Sequence, residues 1–166
     1  MMSRTLLFMA GLAIVGCSSS PEVTRDYDPT TNFKAMKTWA WVPEAPQADG
    51  GGVSSLSHER LRSAIEQEFT HRGYMRVEPK SADFWVQYHA LLAQWIELDP
   101  YSYDSGEVHR YKEGTIVVDV ITPKDRRLVW RGTAQGAVEK DLTPDERQKR
   151  IREVVSEILE EFPPKK

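Results

Sequence analysis

The sequence predicts an α+β fold: an antiparallel sheet of about four to six strands with two amphipathic helices packed on one face, as a two-layer sandwich. Two segments, 57–72 and 144–161, repeat apolar residues with the 3.6-residue period of a helix. The segments around them alternate apolar with polar positions and are rich in aromatic and β-branched residues, which is typical of strands. Two such helices are enough to cover one face of the sheet.

Strands are predicted, in chain order, over the segments 23–28, 36–42, 74–77, 83–96, 114–122 and 127–138. Pro29 and Pro79 end two of them, because proline cannot donate a hydrogen bond to a neighbouring strand. The prolines and glycines of 43–55 predict a loop, and 97–113 is expected to form a loop or a ragged hairpin. The last two strands, joined by a turn at 123–126, are expected to form an antiparallel hairpin.

Both helices have recognisable ends. Ser57 is suited to cap the first helix, and Gly73 suits the position after its last turn. The second helix begins with Thr143–Glu146, a capping box with proline at the first helical position. Pro163-Pro164 is expected to end it.

The first 16 residues are expected to be a signal peptide and not part of the fold. Arg4 precedes an apolar run, Leu6 to Val15, that would span roughly 15 Å as a helix, about half of a bilayer core. The run ends in Ile14-Val15-Gly16-Cys17, which resembles the lipobox of bacterial lipoproteins. Cys17 is the one cysteine of the chain.

The lipobox resemblance implies a lipid anchor. Cys17 would take a diacylglyceryl group, residues 1–16 would be removed, and the new amine would be acylated, for example with palmitate; the alternative is a plain signal peptide with a spare cysteine. Ser18 stands where inner-membrane retention usually requires Asp, which implies the outer membrane, facing the periplasm. The mature chain would then be a lipidated cysteine with a flexible tether, 17–22, and a single α+β domain, 23–164.

Composition limits the kinds of partner and chemistry. The chain has 166 residues, a net charge of −3 and a pI of about 5.8, so no strongly basic surface is expected for nucleic acid. One cysteine excludes an intramolecular disulfide and a thiolate metal cluster. Nucleophile-elbow, Walker, dinucleotide-binding and His-Glu-x-x-His motifs are absent from the sequence. We therefore expect no catalytic, cofactor-binding or metal-binding residues.

A set of short motifs lies in order along residues 24–164: Asp26-Tyr27-Asp28, Phe33 to Trp41, Arg72-Gly73-Tyr74, Ala82-Asp83-Phe84, Tyr88-His89, Glu113 to Asp119, Leu128 to Gly132 and Phe162-Pro163-Pro164. This ordered set resembles a family of bacterial lipoproteins catalogued as domain of unknown function 4136. The resemblance implies the fold and the envelope location, and it assigns no activity. Arg126 departs from the pattern, because such proteins tend to carry glycine in that turn, and a left-handed turn residue is costly for arginine.

Asp119 and Arg131 are the candidate structural ion pair. Asp119 interrupts the apolar strand 117–121, so its charge must be paired or face solvent, and Arg131 lies on the neighbouring strand. The alternative is a functional site, in which an envelope hydrolase assembles an Asp/His pair. His89, in mid-strand beside Gln87, is expected to be a half-exposed strand histidine, with a base or ligand role as the alternative.

Tyr101, Tyr103 and Tyr111 are the candidate interaction surface, because they lie in a polar loop. The alternative is that most aromatic side chains pack in the core or on the sheet. We expect a lipid-anchored, non-enzymatic domain that binds or supports an envelope protein or cell-wall material. An envelope hydrolase and a carrier of a small apolar ligand are the alternatives, and a carrier requires an apolar cavity between sheet and helices.

Overall fold

The computed structural model describes residues 20–43, 52–98, 108–139 and 141–165. Its strands and helices are β1 Glu22–Tyr27, β2 Thr38–Trp41, α1 Ser55–His71, β3 Met75–Arg76, β4 Phe84–Leu98, β5 Val108–Thr122, β6 Arg127–Ala137 and α2 Pro144–Leu159. Within this part of the chain the strands form one six-stranded sheet in the order β1-β6-β5-β4-β2-β3. Both helices pack on one face of it, which confirms the predicted α+β class.

The sheet is mixed, which corrects the prediction of an antiparallel one. The pairs β1–β6, β6–β5 and β5–β4 are antiparallel, whereas β2 runs parallel to both β4 and β3. Parallel neighbours need a crossover connection, and α1 provides it between β2 and β3. Alternation of apolar and polar residues shows which face is buried but not which way a strand runs, so the pattern could not give the direction.

α2 ends at Leu159, four residues before Pro163, and the other predicted helix ends agree with the structure with one exception. The exception is the cap of α1: Ser54 Oγ accepts a hydrogen bond of 3.3 Å from the backbone N–H of Ser57, so Ser54 is the cap and Ser57 is its partner. Gly73 follows α1 with φ +82°, a conformation that glycine adopts readily. The predicted capping box of Thr143 and Glu146 opens α2, and each residue accepts a hydrogen bond from the backbone N–H of the other.

β4 and β5 are longer than predicted. They pair continuously from Trp85 opposite Ile121 to Leu98 opposite Val108. Residues 108–113, predicted to belong to a loop or ragged hairpin, are therefore part of β5. The charged residues of this segment have a low strand propensity, and the pairing of the segment with β4 outweighs that low propensity.

A bulge sets the register between β5 and β6. Ile121 lies opposite Leu128, whereas its neighbour Val120 lies opposite Trp130, so Val129 is an extra residue in β6. From Val120 back toward the start of the β5–β6 pairing, each β5 residue lies opposite the β6 residue one position later in the sequence than it would without the bulge.

Asp83 fastens the start of β2 to the start of β4. Its carboxylate accepts hydrogen bonds of 2.9 Å and 2.8 Å from the backbone N–H groups of Lys37 and Thr38, and one of 2.8 Å from the Thr38 hydroxyl. These bonds favour the charged form and lower the pKa of Asp83 below its usual value. The motif Ala82-Asp83-Phe84 therefore has a structural role in joining two parallel strands.

The β5–β6 turn holds Arg126 in the left-handed region, with φ +53°. Its guanidinium carbon lies 6.0 Å from the centroid of the Trp85 ring. Arginine thus takes the left-handed backbone that glycine adopts at lower cost, and the cation–π contact offsets part of that cost.

We expect R126G to raise the free energy of unfolding by about 1 kcal/mol. Glycine relieves the cost of about 1–2 kcal/mol that the left-handed backbone conformation imposes on arginine, and the higher conformational entropy of glycine in the unfolded chain offsets part of this gain. R126A is the control, since it removes the guanidinium and keeps the strained backbone. Urea unfolding followed by tryptophan fluorescence ranks the three proteins. A glycine variant less stable than the alanine variant would contradict the assignment of strain to this turn.

Candidate functional site

An apolar cleft lies between the sheet and the first turns of the two helices. Its volume is about 190 Å³, and it is lined on its apolar walls by Leu61 of α1, Ala90 of β4, Ile116 of β5, Ala134 of β6, and Ile151 and Val154 of α2. An apolar cavity of about 150 Å³ is enough to hold benzene in another protein. The cleft is therefore large enough for a short segment of an alkyl chain.

Two facing glycines form part of the cleft floor. Gly114 of β5 lies directly opposite Gly136 of β6 because of the bulge, and both line the cleft. A Cβ atom on Gly114 would lie 2.9 Å from Cγ2 of Val138, and one on Gly136 would lie 3.2 Å from Cα of Pro21. Because Gly114 and Gly136 have no side chains, Val138 and Pro21 can approach the sheet, and the cleft is deeper at these two positions.

The cleft is closed at its inner end by the core. Gly132 lies two residues before Ala134 on β6, and a Cβ there would meet the Trp130 ring at 2.5 Å and Cγ2 of Ile158 at 2.7 Å. Trp130 and Ile158 therefore fill the space between sheet and helix at this level. The cavity exists only toward the end where α1 and α2 begin.

The rim of the cleft carries both signs of charge. Arg147 and Arg150 of α2 and Glu139, which follows β6, all border it. Arg147 Nη2 donates a hydrogen bond of 3.2 Å to the backbone carbonyl of Leu142. Ser57 borders the cleft from α1. The charged groups at this rim are therefore two cations and one anion.

The open face of the sheet, opposite the helices, holds the Asp119–Arg131 pair. Arg131 donates from Nε to Oδ1 at 2.7 Å and from Nη2 to Oδ2 at 2.8 Å. Asp119 is 5% exposed, whereas the Arg131 side chain is 48% exposed. The carboxylate stabilises the charged guanidinium and raises the pKa of Arg131 further above its usual value. Between two core strands, this geometry neutralises a buried charge.

The structure does not join Asp119 to a histidine. His89 lies opposite Val117, and its Nε2 is 2.7 Å from Nε2 of Gln87. Among the described residues no hydrogen bond links His89 with Asp119, and no group of three His, Cys, Asp or Glu side chains could hold a metal ion. The geometry of this face therefore supports a structural role for both residues.

The other predicted site residues lie largely outside the described part. Cys17, Tyr101 and Tyr103 are not among the described residues, and only the backbone of Tyr111 is described, in β5 opposite Trp95. In the part of the chain that the structure covers, no helix is both long and apolar enough to cross a bilayer. The sequence did not predict the cleft; the glycines within strand patterns at 114 and 136 were the signal that could have pointed to it.

Comparison with known proteins identifies relatives by sequence family and by fold. The family described as a domain of unknown function (DUF4136) matches residues 23–164, which confirms the resemblance drawn from the motifs. No curated protein matches the chain.

Several solved structures are similar to this chain, among them the following two. A PDZ domain protein from Parabacteroides distasonis is 13% identical with a TM-score of 0.56; the match covers 87% of this chain and spans about a third, 36%, of that protein's chain. The PelC dodecamer from Paraburkholderia phytofirmans is 9% identical, with a TM-score of 0.46, 88% of this chain covered and 99% of that chain. At these identities the similarity concerns the fold alone.

Proposed function

The chain belongs to the DUF4136 family, and we propose that it is a lipid-anchored lipoprotein of the cell envelope, facing the periplasm from the outer membrane, that acts as a non-enzymatic binding module for a small apolar group. The sequence Ile14-Val15-Gly16-Cys17 supports the anchor, and Ser18 supports the outer membrane. The membrane is thus a partner through the lipid on Cys17, and the tether predicted over 17–22 ends where β1 begins, at Glu22.

The apolar cleft is the observation that carries the binding role. Its walls come from α1, α2 and three strands, so both layers of the fold contribute to it. Each methylene group moved from water onto such walls contributes about 0.8 kcal/mol. Of the readings that the sequence left open, this cavity favours the binding of a small apolar ligand.

Filling the cleft is expected to reduce apolar binding at least tenfold, which corresponds to about 1.4 kcal/mol. In I151W a larger side chain on α2 occupies the cavity, and V53W does the same from the chain before α1, since both residues line the cleft and are half-buried. A fluorescent alkyl probe, titrated into residues 20–166, measures the dissociation constant. The two substituted residues lie in different segments of the chain, so one variant suffices if the other is unstable.

M75W is the matched control, because Met75 is 62% exposed on the edge strand β3 and does not line the cleft. M75W adds a tryptophan ring at the surface, and its affinity for the alkyl probe should lie within about twofold of the affinity of the parent protein. Equal probe binding by the parent and both folded filling variants would contradict the cleft as the binding site.

A further inference from the structure

We propose that the cleft holds a short segment of one acyl chain of the protein's own N-terminal lipid. This inference rests on the proposed function, because it requires lipidation of Cys17 and names the apolar group that the cleft binds.

The N-terminal segment joins the fold at the wall of the cleft. Pro21 lines the cavity and packs against Gly136 on its floor. β1 begins at the next residue, Glu22, which pairs with Gln135. The backbone on the C-terminal side of the tether is therefore fixed beside the cavity.

The tether is too short to take the lipid far from the cleft. Cys17 and Pro21 are four residues apart in the sequence. An extended chain spans at most about 3.5 Å per residue, so the anchored cysteine lies within about 14 Å of the cleft wall. This is close to the thickness of one leaflet's hydrocarbon, about 15 Å. A lipid on Cys17 can thus reach the cavity without any rearrangement of the described fold.

The energetics favour a tethered chain over an empty cleft. An acyl chain in a bilayer is already out of contact with water, whereas the apolar cleft walls are not. Moving a short segment of the chain into the cleft removes water from the walls and keeps that segment in apolar surroundings. A ligand on a short tether also has an effective concentration of the order of millimolar. The remaining acyl chains on Cys17 keep the protein on the membrane.

The rim offers polar groups to the carbonyls of a lipid. Arg147, Arg150 and Glu139 place both signs of charge around the opening. A diacylglyceryl thioether and an amide-linked acyl chain carry no charge, and their ester and amide carbonyls can accept hydrogen bonds from a polar rim. An anionic phospholipid would meet Glu139 as well as the two arginines.

Photocrosslinking of the full-length lipoprotein in intact cells tests the inference. A diazirine amino acid replaces Ile151 within the cleft, and Val53 in a second strain in case the first variant does not fold. The same amino acid at exposed Met75 is the control. We expect the digested protein to contain the α2 peptide covalently joined to the lipidated N-terminal peptide, at a yield at least tenfold above any N-terminal crosslink from Met75.

The same mass spectra separate failure of this inference from failure of the proposed function. A lipidated N-terminal peptide without the crosslink overturns the inference and leaves the anchor standing. A crosslink that adds the mass of a separate phospholipid also overturns it, while keeping the cleft as an apolar binding site. An N-terminal peptide that carries no lipid overturns both the anchor and the inference.

Discussion

F162A is expected to lower the free energy of unfolding by about 3–5 kcal/mol, the range for removing a fully buried aromatic side chain. Phe162 is 2% exposed and lies at the centre of the aromatic core. Its ring centroid is between 5.3 Å and 6.0 Å from those of Phe33, Phe69, Tyr74, Phe84 and Trp130. The truncation therefore leaves a cavity that several large rings would have to move together to fill.

Two variants show whether the loss comes from the core. F162L keeps most of the volume and should cost less than about 1.5 kcal/mol. L128A truncates a side chain that is 42% exposed, and its effect should lie within about 1 kcal/mol of zero. Urea unfolding at one temperature measures the free energy of unfolding of F162A, F162L and L128A relative to the parent protein. A loss below 1 kcal/mol for F162A would mean that the C-terminal segment is not part of the cooperative core.

Phe162 also shows what could be predicted from the sequence and what could not. Its spacing from Ile158 and Leu159 continues the apolar stripe of the helix predicted over 144–161. In the structure α2 ends at Leu159, and Phe162 reaches the core from the segment that follows. Arg72 of the turn after α1 donates hydrogen bonds of 3.4 Å and 3.3 Å to the carbonyls of Glu160 and Phe162. Periodicity thus identified the buried residue but not the backbone that carries it.

The candidate site was harder to predict, because it depends on pairing between strands. Without the bulge at Val129, Asp119 would face Trp130 in place of Arg131, and Gly114 would face Gln135 in place of Gly136. Strand positions, capping residues and helical faces are local properties that the sequence displays. The pairing register beyond a bulge depends on how the two strands come together. A cleft floor that depends on this register therefore cannot be recognised from either strand segment of the sequence alone.

R131M is expected to lower the free energy of unfolding by about 2–3 kcal/mol, because it leaves the buried carboxylate of Asp119 without its cation. The value is below that for a fully buried pair, since the Arg131 side chain is 48% exposed and water can partly replace it. D119V should cost less than R131M. It removes the buried charge and leaves behind a guanidinium that can turn toward solvent, on a strand where Val118 and Val120 already flank the position.

The double variant D119V/R131M should be within about 1 kcal/mol of the parent protein, because an apolar pair of similar size can replace a buried ion pair at little cost. The four proteins form a double-mutant cycle, and urea unfolding gives the coupling energy between the two side chains. Additive losses in the double variant would mean that each residue stabilises the fold through other contacts.

The cycle also separates a structural pair from a functional one. Asp119 and Arg131 lie on the open face of the sheet, and the cleft lies on the helix side, so apolar binding and the pair are independent in this fold. The folded double variant should therefore bind the alkyl probe with unchanged affinity. If D119N keeps its stability and yet loses binding, or any measured activity, the pair belongs to the working site, and the open face of the sheet becomes the functional surface.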